Sequence, residues 1–375
     1  MPKLNAVDAI SPAFNLMKAD LFSPVRWGFW VRIGILGFFT GEMSAGGGCN
    51  FNVPANWNTH HRNQFAAPSL FAAAPPFGHW NPQALIAALP FILGAALLIG
   101  LILMYIGSVF RFTLFEAILN GRISIRDAWE RWQQQGTRFF VFRLLLGLAF
   151  LCVVGVVALV VIAMVGVASF THNPGAMGAG AILAIVFGFL ALFLFAIPFI
   201  LVYLFAKDFA VPVMALEGTT FGEAWRKVWA MVKNEPGSTA GYVGMKIVLS
   251  IATAFIFGII ILIAALFVII PLGGIGVVSV LAGKAAGLTW TPLTITLVVA
   301  LAAIFIGLLL FVVSVVSAPV SVFFPAYGLY FFAGRYQPLH DRLFPPPPAP
   351  PVAPETSPTP SAPTGFEPPP EPLGS

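Results

Sequence analysis

The sequence predicts an all-α integral membrane protein of about six transmembrane helices. They form three parallel repeats of an interfacial amphipathic helix plus a transmembrane hairpin, followed by a disordered Pro-rich C-terminal tail. Three observations carry this. The composition is 59% hydrophobic and 9% charged, with a mean hydropathy of +0.92, whereas a soluble domain carries about 25% charged residues. Long apolar runs of the length a bilayer requires recur along the chain. A short passage of Trp and charge is written twice between those runs, as ISIRDAWERW and TTFGEAWRKVW.

The apolar runs set the spans. A helix needs about 20 apolar residues to cross the hydrocarbon core. Ala84 to Tyr105, Leu144 to Val167, Ala181 to Phe205, Ile247 to Ile270 and Leu293 to Val313 meet that length. The first candidate, Trp27 to Gly46, carries Arg32 near one end and Glu42 near the other. The polar lead before it is too long for the n-region of a signal peptide. Trp27 and Trp30 suit an interfacial belt, and Gly34, Gly37, Gly41 and Ala45 recur at helical spacing, which gives a smooth face for another helix. Glu42 is expected near the outer edge of that span, reaching headgroups or water, and is the one polar functional candidate there.

Orientation follows from the cations. All but two of the 19 Lys and Arg lie before or around the first span, between spans two and three, between four and five, or after six. Only Arg62 and Lys284 fall in the alternate loops. The positive-inside tendency then places both termini in the cytoplasm of a bacterial cell, with the chain in the inner membrane.

The repeated passage defines the unit. Ile125, Ala128, Trp129 and Trp132 form one apolar stripe of a helix, with Arg126, Asp127, Glu130 and Arg131 facing away. Ser124 and Asp127 read as a capping box. In the second copy Phe221, Ala224, Trp225 and Val228 repeat the stripe, and Thr220 with Glu223 repeats the cap. Ile10, Ala13, Phe14 and Met17 make a third copy. Each is too short and charged to span, and is expected to lie in the headgroup region with its aromatic face down. The units are residues 5–108, 109–206 and 207–335. APVSVFFPAYGL at 318–329 resembles FAVPVMALEG at 209–218, as a truncated fourth beginning. The lipid-interface candidates are Arg126, Trp129, Arg131, Trp132, Trp225, Arg226, Lys227 and Trp229, with anionic headgroups as their partners.

The stretches FRFTLFEAILNGRISIRDAWERW, KDFAVPVMALEGTTFGEAWRKVW and APVSVFFPAYGLYFFAGRY resemble the uncharacterised multi-pass membrane families of bacteria and archaea that carry only an unknown-function label. They are more distantly similar to the membrane domain attached to some glycerophosphodiester phosphodiesterases. The resemblance implies a multi-pass fold over residues 5–336 and transfers no catalytic residue.

Other signals are weaker. The loop at 47–83 holds His60, His61 and His79, whose spacing matches no metal-ligand pattern, so no metal or cofactor is expected. Cys49 on that loop and Cys152 inside a span do not read as partners. Arg143 and Lys246 near span ends are expected to snorkel to the interface. Pro90, Pro198, Pro271 and Pro319 are tolerated kinks. No phosphate loop, HExxH, CxxC or Gly-x-Ser-x-Gly elbow is present. The basic pI near 9.4 reflects the membrane flanks rather than nucleic acid. The tail at 345–375 leans to polyproline II, could meet a proline-reading partner, and is expected in the cytoplasm. The functional expectation is a non-enzymatic lipid-interacting or membrane-organising module. The alternatives are a transporter for a small neutral or apolar solute and a membrane enzyme acting on lipid headgroups.

Overall fold

A computed structural model describes residues 5–23, 26–42, 82–121, 124–169, 174–285, 287 and 292–345. His60, His61, His79, Cys49 and residues 346–375 of the Pro-rich tail lie outside the described residues. Those described are helical throughout, with no strand among them. In chain order the helices are α1 (Ile10–Phe22), α2 (Trp27–Thr40), α3 (Pro82–Asn120), α4 (Ile125–Ser169) and α5 (Pro174–Phe205). A π-helical turn, Ala206–Ala210, carries α5 into α6 (Val211–Glu217). There follow α7 (Phe221–Asn234), α8 (Pro236–Ala285), α9 (Pro292–Val316), α10 (Ala318–Ala333) and α11 (Gln337–Leu343).

Among the described residues five helices are long and apolar enough to cross a membrane: Leu89–Asn120, Ile125–Gly166, Gly180–Glu217, Pro236–Gly283 and Thr296–Val316. The expected first span is helical over 14 residues only, about 21 Å at 1.5 Å per residue. Gly41, at φ 76°, ends it. There the Gly41 and Glu42 N–H groups donate to the Phe38 and Gly37 carbonyls at 3.2 and 3.0 Å, closing the helix as a left-handed glycine cap does.

Burial is uneven along the long helices. Their most apolar stretches, such as Leu97 to Ile99 of α3, Leu159 of α4, Phe189 of α5, Phe267 of α8 and Ile304 of α9, remain exposed. The core gathers at one end, from Phe112 and Phe115 of α3, Phe139 of α4, Phe209 and Met214, Tyr242 of α8, and Phe324 and Phe331 of α10. Beyond it α4 pairs with α5, where Phe150 and Phe199 meet at 5.4 Å between ring centres, and α8 pairs with α9. α2 is wedged tightly between α9 and α3: a Cβ on Gly34 would meet the Ser314 carbonyl at 2.8 Å, and one on Gly107 would clash with the Phe39 carbonyl. The Trp30 indole N–H donates to the Val315 carbonyl at 2.7 Å.

Two expectations about the Trp-bearing passages are corrected. The first passage is not a separate interfacial helix, because α4 runs unbroken from Ile125 to Ser169. Its Gln-rich middle has no helix breaker, and Gly136 continues the helix while packing against Val109. The second passage is a separate helix, α7, because Pro236 opens α8 and forces Glu235 out of helical conformation, at φ −134° and ψ 63°. The stripes are also partly covered by protein, although Phe14 is exposed. Ala13, Ala128 and Ala224 are all buried, because α1 lies against α10, α4 against the end of α3, and α7 against the π-turn and α6. The segment expected as a truncated beginning at 318–329 lies within α10, whose Tyr327 hydroxyl donates to the Ala6 carbonyl at 3.1 Å.

Candidate functional site: a buried ion-pair network

The charged groups of the core come from four places in the chain. The glycine cap after α2 delivers Glu42, α3 delivers Arg111, the π-turn delivers Lys207 and Asp208, and α8 delivers Tyr242 and Lys246 one turn apart. A π-turn inserts one extra residue into a helix and recurs at functional sites. Here it carries two adjacent charges that reach different partners.

Glu42 is fully buried, and one of its oxygens, Oε1, accepts from Arg111 at 2.6 Å and from Lys207 at 2.7 Å. Arg111 also donates to the Thr40 carbonyl at 3.1 Å, which fastens it to the end of α2. Asp208 pairs with Lys246 and accepts the Tyr242 hydroxyl at 2.9 Å. Tyr242 is sandwiched by Tyr327, 5.3 Å away, and Phe331, 4.6 Å away. Beside them the Arg143 guanidinium lies 5.5 Å from the centre of the Tyr203 ring and donates to Ser108 Oγ at 3.3 Å. Between α3, the π-turn with α6, and α10 lies a cavity of about 20 Å³, walled on one side by Arg111, Lys207 and Asp208. Charges withdrawn from water at this depth persist only when paired.

Glu42 therefore does not reach headgroups or water. It is drawn among cations that flank other helices, because α2 is short and ends beside Arg111. Lys246 is 3% exposed and turns inward to Asp208 rather than snorkelling.

The lipid-interface candidates divide. Trp132 stacks on Phe112 at 5.8 Å and donates its indole N–H to Glu116 at 2.6 Å. Trp129 meets Tyr105 and Phe110 edge-on. Arg131 pairs with Glu116, and Lys227 with Glu217. Trp225 stacks between Phe221 and Trp229. Trp229, Arg126 and Arg226 are exposed. The Tyr336 hydroxyl also donates to Glu217, at 2.6 Å; burial and that bond push the phenol above its ordinary range. None of these groups touches the buried network. Among the described residues no group of three or more His, Cys, Asp or Glu could hold a metal ion.

Sequence reasoning passed over Lys207, Asp208, Tyr242 and the pairing role of Arg111. One signal was available: the opposite charges of KDF sit directly on the end of an apolar run without a break.

Apolar helices with bare flanks, gathered on a core of buried ion pairs, define the chain as a helical membrane protein. It belongs to DUF7544, a family of unknown function, which matches residues 4–341. No curated protein and no solved structure matches it. Nothing in these comparisons relates the chain to the membrane domain of glycerophosphodiester phosphodiesterases.

Proposed function

We propose that this protein is a non-enzymatic, lipid-interacting membrane module in which three parallel units share one charged base and offer their hairpin flanks to lipid. The carrying observation is the contrast between the two ends of the bundle. At the base, the buried charges close around a cavity of about 20 Å³, when roughly 10–15 Å³ is needed for one water. Along the hairpins, Leu159, Phe189, Phe267 and Ile304 stand exposed, and apolar surface on that scale calls for an apolar surrounding.

The three-unit reading is supported by the equivalence of Ala13, Ala128 and Ala224, each buried under another apolar helix. Left-handed Gly121 and Gly218, at φ 61° and 69°, end two of those covering helices. For α1 the cover comes from α10, at the other end of the chain, so the units close in a ring. With the cations on one side and an even number of crossings, both termini lie in the cytoplasm. Arg126 and Arg226 then face the anionic leaflet.

Native mass spectrometry of the purified protein tests this reading. The wild type is expected to retain anionic phospholipid. Neutralising Arg126 and Arg226 to Gln is expected to weaken that retention about 30-fold, at about 1 kcal/mol for each cation near the surface. Retention of no anionic lipid by the wild type, or unchanged retention in the variant, overturns it.

A further inference from the structure

We propose that the cavity beside Arg111 and Lys207 is a binding site for a monatomic anion of chloride's size. The first argument is charge balance. The network holds three cations, Arg111, Lys207 and Lys246, against two carboxylates, Glu42 and Asp208, and none of the five side chains is more than 9% exposed. Lys246 answers Asp208. The single oxygen Glu42 Oε1 answers both Arg111 and Lys207. One positive charge is left over in a region from which water is excluded, the arrangement that costs most to bury. Arg143 nearby adds to the excess, since its partners Ser108, the Met104 carbonyl and the Tyr203 ring are neutral.

The second argument is an open donor. Arg111 Nε is buried without a hydrogen-bond partner, on a residue that lines the cavity. Arginine carries five N–H donors in a fixed fork; Nη2 is committed to Glu42 and the Thr40 carbonyl, at the end of α2 and just past it. The third argument is the wall. Opposite the cations it consists of Leu114, Phe115, Val211, Pro212, Pro325 and Leu329. Such a surface suits a large halide, which gives up its hydration more readily than a small hard anion. At about 20 Å³ the space exceeds the roughly 10–15 Å³ that one water needs, which leaves room for a small anion beside Arg111. Asp208 on the rim opposes an anion, but it is neutralised by Lys246 and by the Tyr242 hydroxyl. The site joins α3, the π-turn and α10, the three covering helices of the base, so occupancy would brace all three together.

The test uses the full chain in one detergent at fixed ionic strength, with sodium chloride or sodium bromide replacing sodium gluconate. Both halides are expected to raise the Tm by about 2–4 °C when present at several times the dissociation constant. Lys207→Met, which removes the excess charge, is expected to abolish that rise. Equal Tm in halide and gluconate overturns the proposal, as does a halide effect that survives in Lys207→Met. Should Lys207→Met fail to fold, chloride-35 line broadening on the wild type, reversed by bromide, takes its place: broadening with competition supports the site, and its absence overturns it.

Discussion

Glu42 is the carboxylate on which the base most depends, and replacing it by Ala isolates that dependence. In the wild type one buried oxygen satisfies Arg111 at 2.6 Å and Lys207 at 2.7 Å. Breaking a buried pair by removing one partner costs about 3–5 kcal/mol, since the other charge is left uncompensated. Here two cations lose the same partner, which places the expected loss at the upper end, about 5 kcal/mol. At roughly 2 °C per kcal/mol for a large chain the Tm should fall by about 10 °C. The assay is a thermal ramp followed by intrinsic fluorescence of the chain's nine tryptophans in a single detergent. Glu42→Gln, which keeps the shape and one acceptor, should lose less. Adding Lys207→Met to Glu42→Gln should recover part of the loss, with a coupling of about 0.5–3 kcal/mol. A Tm of Glu42→Ala within about 2 °C of the wild type would refute the claim that this carboxylate binds the base together.

Gly107→Ala should destabilise the protein, because its Cβ would clash with the Phe39 carbonyl and overpacking of about 1–3 kcal/mol exceeds the gain in helix propensity. Gly100→Ala, with nothing within 4 Å, should stabilise by up to about 1 kcal/mol; the same thermal ramp compares the two. Trp132→Phe keeps the ring on Phe112 but loses the indole donor to Glu116; unfolding should show a loss of about 1 kcal/mol, shrinking when Glu116→Gln is already present. The Thr220 N–H and hydroxyl hold the Glu223 carboxyl below its ordinary range. Its contribution is therefore complete above the unfolded carboxylate pKa of about 4.3 and is lost as pH falls through the lower folded value. Protection factors of the first-turn amides of α7, corrected for the slower intrinsic exchange in acid, should fall on acidification below that point, and Glu223→Gln should remove that pH dependence.

Much of this architecture is legible in residues close together in sequence. The apolar runs locate the long helices because length and composition alone decide whether a segment suits a bilayer. The Thr220–Glu223 box is readable because both halves lie within one turn, and it forms as a capping box. The stripe of Ala224 and Val228 is readable as a stripe, but the sequence does not say what covers it, so lipid was expected where α6 and the π-turn stand. The pairs of the base were hidden for the same reason. Glu42 and Arg111 are 69 residues apart, and Lys246 and Asp208 are 38 apart. A charge near the end of an apolar run reads locally as a flank, and only tertiary packing turns it inward. The unbroken α4 was missed because charge and Trp suggested a boundary where no Pro or capping Gly enforces one.

The claim that the hairpin flanks face lipid is tested most directly by nitroxide labels placed one at a time at Phe189 and Phe267, both exposed in the structure, with the protein in bilayers. Collisions with oxygen should be frequent and those with a water-soluble nickel chelate rare, with the label free to move. Frequent nickel collisions, or a label immobilised against protein, would contradict it.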